Sequence, residues 1–172
     1  MGLRAGWYTR SAMETISVAK RDLASPLSWH GNTGHDHADQ HAEQRLEVFV
    51  IFTDTPGTLA ALQMADRLAK RLEARLRLVM PYEVPYTLPL TEPTVLVEFL
   101  EGQLRTLGCQ IPMEITAHLY LCRDRRRTLQ LVLKARSLVI VGGRKRWWPT
   151  PAQRLASALR KDGHHVVFAE LR

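Results

Sequence analysis

Two cysteines in 172 residues, Cys109 and Cys122, are too few for a disulfide framework or a four-cysteine zinc site. Such a chain suits a reducing compartment, and the expected location is cytoplasmic. No apolar run reaches the ~20 residues that a membrane-spanning helix needs. The opening stretch MGLRAGWYTRSAMETISVAK also lacks the apolar core of a secretory signal. A myristoylation signal would want Ser or Thr where Gly6 stands, so no membrane partner is expected. The chain has no Gly-x-Ser-x-Gly elbow, Walker loop, Gly-x-Gly-x-x-Gly fingerprint or His-Glu-x-x-His helix. No catalytic residue and no metal site is therefore assigned, and the reading leans away from an enzyme. Cys122 precedes a basic helix start, which would lower a thiol pKa; the alternative is a buried, inert cysteine.

What is present is ordinary for a globular protein: 45% hydrophobic and 24% charged residues, in a length suited to one domain. Charge is unevenly placed. Residues 1–45 carry five basic and five acidic side chains, so the whole formal excess of +7 falls on 46–172. Its densest parts are Arg123-Asp124-Arg125-Arg126-Arg127 and Arg144-Lys145-Arg146. The first 45 residues show no sustained period and read as a mostly disordered extension. They include His30, His35, His37 and His41 beside Asp36 and Asp39, a composition without a frame to make a defined metal site.

From Leu46 onward, apolar β-branched runs alternate with helical spacing. Strands are predicted at 46–52, 76–80, 113–121, 137–141 and 165–169, and helices at 56–73, 94–107, 124–136 and 151–163. Thr55-Pro56 and Thr150-Pro151 each read as a cap followed by a proline in the first turn. Pro81 is expected to stop the second strand, and Gly108 to cap the second helix. Five strands alternating with four helices specify a single α/β domain, a mostly parallel five-stranded Rossmann-like sheet with helices on both faces. Ligands bind such sheets outside the carboxyl ends of the strands, where strand order reverses. Asp54, Arg123 to Arg127 and Gly142 to Arg146 all follow strand ends.

Three stretches carry a family resemblance over most of 46–172: Val48 to Asp54, Thr128 to Gly142, and Ser157 to Ala169 with His164-His165-Val166-Val167-Phe168. In them the chain resembles the universal stress protein family, whose α/β domain is of the adenine nucleotide alpha hydrolase-like kind and in some members binds ATP. The resemblance implies a non-enzymatic binding or regulatory module, with ATP or another nucleotide as ligand and a homodimer formed through the last strand. It also implies that Asp54, with Thr55 beside it, contacts the nucleoside and that Met80 offers its backbone to adenine. ATP-binding members follow the fourth strand with a glycine, two residues, a second glycine, nine residues, then glycine and Ser or Thr. Gly142, followed by Gly143, matches the first position, but Lys145 takes the second, and Leu155 and Ala156 the last pair. Sliding by three residues puts Ala152 and Gln153 there instead.

Cations offer a substitute for the glycine loop. Arg125, Arg126 and Arg127 crowd a helix start, whose dipole disfavours them unless an anion is bound. Arg123, Arg144, Lys145 and Arg146 are placed to join them around a phosphate-bearing ligand; the same runs also read as a solvated surface. Two further readings stay open: a ligand-free, dimeric interaction domain, and association with nucleic acid through Trp147 and Trp148 beside the cations. The tryptophans otherwise fit one cover for the core and one subunit contact.

Overall fold

The computed structural model describes residues 19–23, 46–90 and 95–171. In chain order the elements are β1 Ala19–Leu23, β2 Glu47–Ile51, α1 Thr55–Leu72, β3 Arg75–Glu83, α2 Val97–Cys109, β4 Ile115–Cys122, α3 Arg125–Val132, β5 Leu138–Gly143, α4 Pro151–Lys161 and β6 His165–Glu170. The sheet order is β1-β4-β3-β2-β5-β6. Strands β2 to β6 are mutually parallel, and β1 joins β4 in antiparallel register, with Ala19 opposite Leu121. The expected α/β domain is therefore present, its five parallel strands extended by one.

That extra strand lies within 1–45, the stretch read as a mostly disordered extension, and was not expected there. Ala19–Leu23 carries charges at Lys20, Arg21 and Asp22 and too short a pattern to stand out, and pairing along the edge of β4 supplies what local propensity does not. The histidines at 30, 35, 37 and 41 lie outside the described residues.

Side-chain alternation along the strands divides the core into two layers. Val48 and Val50 of β2 face Ala61, Leu62 and Ala65 of α1 and Leu100 and Leu104 of α2. Phe49 and Ile51 face the opposite way, toward Leu129 of α3 and Ala156 and Leu159 of α4. Truncating a buried leucine such as Leu62 to alanine removes about 2–5 kcal/mol from packing of this kind.

Several boundaries differ from expectation for identifiable reasons. Asp54, not Thr55, caps α1: its carboxylate accepts from Gly57 N at 2.6 Å, and Thr55 lies in the first helical turn. Pro81 does not end β3, which runs on to Glu83 and pairs Pro81 with Tyr120. The Val79 carbonyl points toward β2, accepting from Phe52 N. By alternation position 81 points the same way, where β2 has already ended, so the missing N–H costs no ladder bond. Helix α2 passes through Gly108 and ends at Cys109, with Gln110 as its C-cap, and no side chain caps its start at Leu96. Helix α3 stops at Val132, with Leu133 extended. Helix α4 begins as expected, with Thr150 and Gln153 forming a reciprocal capping box.

Candidate functional site

Strand order reverses between β2 and β5, each of which has its next neighbour in sequence on the far side. At the carboxyl ends of these two strands lies a cleft of about 530 Å³, lined by Thr53, Asp54, Pro56, Arg125, Gly143, Arg144, Arg146, Thr150, Pro151, Ala152, Leu155 and Leu171. The fold thus opens a cavity where a doubly wound sheet is expected to bind a ligand.

Glycines seat the helices around it. A Cβ on Gly142 would stand 1.8 Å from the Gly57 carbonyl oxygen, so α1 packs directly on the end of β5. Thr53 Oγ donates to the Gly142 carbonyl at 2.8 Å and closes the same junction. A Cβ on Gly143 would stand 2.7 Å from Ala152 Cβ, which makes Gly143 the spacer between β5 and the first turn of α4. Gly142 is thereby spent on packing and does not line the cleft, whereas Gly143 does.

The arginines at the start of α3 separate. Arg125 turns inward: its Nη2 donates to the Phe52 carbonyl and its backbone N–H to Glu83 Oε1 at 2.9 Å. Its Nε is buried without a hydrogen-bond partner. Burial pushes the Arg125 pKa below its ordinary value, against the raising influence of Glu83 and then Cys122. Arg126 instead pairs in the open with Asp162 at 2.8 Å, and that carboxylate is held below the usual range chiefly by this hydrogen bond. Arg127 is exposed and donates its backbone N–H to the capping Asp124 at 3.0 Å. The joint anion site expected of the three is therefore not formed, because successive side chains on a helix point some 100° apart.

Two other expected residues serve the fold. Arg123 donates to the carbonyls of Val84, Pro85 and Leu88 and lies 5.2 Å from the Tyr86 ring centroid, so it clamps the loop after β3. Met80 sits inside β3, 2% exposed in the core against α1 and α2, because the strand outruns Pro81. Neither lines the cleft, nor do Thr55 or Lys145, both exposed. Asp54 does, but its carboxylate is engaged by Gly57 N. Replacing Asp54 by alanine is expected to cost about 1 kcal/mol of stability through the lost cap, while Asp54→Asn keeps it, as chemical denaturation of both variants would report.

Sequence reasoning missed Thr53, Pro56, Thr150, Pro151, Ala152, Leu155 and Leu171 as cleft residues. The Thr150-Pro151 start was visible, but its position beside β2 follows from strand order, which no local pattern carries. In the first turn of α4, Pro151 lacks an N–H and Gln153 N donates to Thr150 Oγ at 3.3 Å. Ala152 N–H has no partner among the described residues and, with the helix dipole, favours an anion nearby. Cys122 is fully buried, with its thiol pKa raised by desolvation first, the opposite of an activated nucleophile. Among the described residues no group of His, Cys, Asp and Glu could hold a metal, and no helix is long and apolar enough to cross a membrane.

The fold and cleft define the class: an α/β domain of Rossmann-like order with a cationic site at its switch point. Comparison with protein-family models, curated proteins and solved structures gives no match, so the cleft's own residues carry the functional reading.

Proposed function

We propose that this protein is a non-enzymatic, universal-stress-like binding or regulatory module whose switch-point cleft takes a phosphate-bearing ligand, with a nucleotide as the favoured class. The observation that carries this reading is Arg125, a guanidinium drawn into the cleft wall with its Nε buried and unpartnered. A desolvated cation is costly unless compensated; Glu83 and the Phe52 carbonyl compensate Arg125 in part, and an anion in the cleft would supply the partner that its Nε lacks. Arg144 and Arg146 add two further cations against the single carboxylate of Asp54. The rest of the lining includes Pro56, Pro151, Ala152, Leu155 and Leu171, an apolar set that suits the base or sugar face of a nucleotide better than a bare inorganic ion.

Calorimetric titration of the full chain with ATP, adenosine and tripolyphosphate tests this. The expected result is saturable ATP binding that adenosine and tripolyphosphate each reproduce only weakly. Equal affinity for tripolyphosphate would reduce the cleft to an anion patch, and absence of heat with all three would overturn the reading.

The interaction-domain reading is favoured by a different feature, the position of β6 as an outer strand. His165 N and Leu171 N donate inward to Ser137 and Gly143, so by alternation the N–H groups of Val166, Phe168 and Glu170 point away from β5. A second copy pairing there would form a homodimer, which light scattering would register as twice the chain mass.

A further inference from the structure

Between β5 and α4 the chain runs Arg144-Lys145-Arg146-Trp147-Trp148-Pro149, every residue of it exposed. Trp147 is 89% and Trp148 66% exposed, so neither covers the core, contrary to expectation. Their ring centroids lie 5.1 Å apart with the planes tilted by 51°, which leaves outer ring faces open. The backbone beneath is fastened: Thr150 Oγ donates to the Arg144 carbonyl at 3.3 Å and Gln153 Nε2 to the Arg146 carbonyl at 3.4 Å. Arg144, Lys145 and Arg146 have no acidic partner among the described residues. Two indoles and three unpaired cations are thus held on one short, anchored loop that the core does not require.

We propose that residues 144–148 form a contact for single-stranded nucleic acid, with the cations on successive phosphates and the indoles stacked on unpaired bases. Aromatic faces beside cations are the recurring elements of such sites, and stacking needs bases that are not already paired. Residues 144–148 include no Leu, Ile, Val or Met, which separates them from a lipid-inserting tip, where such groups accompany tryptophan. Arg144 and Arg146 also line the cleft, whereas Lys145, Trp147 and Trp148 do not, so variants at these last three test the contact apart from the cleft's own ligand.

Fluorescence anisotropy of a labelled oligothymidylate about a dozen nucleotides long, titrated with the full chain over a range of salt, tests the proposal. Joint Trp147→Ala and Trp148→Ala substitution is expected to weaken binding about tenfold or more. Lys145→Ala should lower the slope of log affinity against log salt by about 0.7, the release from one single-strand phosphate contact. All three side chains are exposed, and circular dichroism with ATP calorimetry on the same variants should match the parent chain. Unchanged oligonucleotide affinity in the double tryptophan variant would overturn the proposal. So would equal affinity for the corresponding duplex, or tryptophan-dependent capture by phosphatidylserine vesicles without oligonucleotide binding.

Discussion

Substituting Gly142 by alanine is expected to lower the free energy of unfolding by about 3 kcal/mol or more, read from the shift of a urea midpoint at constant slope. The added Cβ would stand 1.8 Å from the Gly57 carbonyl oxygen and 2.7 Å from its carbonyl carbon. Those are backbone atoms in the first turn of α1, so no side chain can swing aside. Relief requires α1 to lift from β5, which uncovers Ala61 and Leu62, both fully buried. The carbonyl of Gly142 would also lose the Thr53 hydroxyl, since that 2.8 Å bond belongs to the same junction. Gly102 supplies the control. It lies within α2 with nothing inside 4 Å of an added Cβ, and Gly102→Ala is expected to stabilise by about 0.5–1 kcal/mol through helix propensity. Equal effects at the two glycines would show that the α1–β5 contact is not close-packed.

The second large effect concerns affinity. Arg125→Met is expected to weaken ATP binding by roughly tenfold to a hundredfold, the loss of a charged hydrogen-bonding partner worth about 1.5–3 kcal/mol. Methionine keeps a flexible chain of similar length in the wall while removing every donor. Global stability should move much less than affinity, because two changes oppose one another. The Phe52 carbonyl loses its Arg125 donor, but a cation desolvated by burial is removed at the same time. Arg126→Met, by contrast, should leave ATP affinity unaltered, since that side chain is paired with Asp162 away from the cleft. Calorimetry on the two variants separates a site built around one half-buried guanidinium from a diffuse basic surface, which would lose similar affinity at either position.

The layered core was readable because its signals are local. Strand β2 is apolar from Val48 to Ile51, and the Thr150-Pro151 start of α4 stands where the cap and proline placed it. Where local signals ran out, geometry took over. Leu96 offers no capping side chain, so the start of α2 has no mark in the sequence. Pro81 looked like a stop because the ending of its neighbour β2 at Ile51 is a matter of register. The cleft follows the same division. Asp54, Arg125, Gly143, Arg144 and Arg146 were identifiable from their places after strand ends, and all line it. Met80 and Arg123 occupy equivalent sequence positions yet face the core and a neighbouring loop. Leu155 and Leu171 reach the cleft only because β5 and α4 are set beside β2 across the reversal in strand order.

The unequal lengths of the strands also set how far a ligand can descend. Strand β2 ends at Ile51 opposite Val141, while β5 continues to Gly143 and β3, on the other flank, to Glu83. The middle strand is therefore recessed; Thr53, which follows it and lines the cleft, is tied to β5 through the Gly142 carbonyl, and the Phe52 carbonyl before it accepts from Arg125 of α3. Depth is a property of register rather than of loop sequence. Changes in the loops around the rim would alter what the cleft selects, whereas two more paired residues on β2 would fill it.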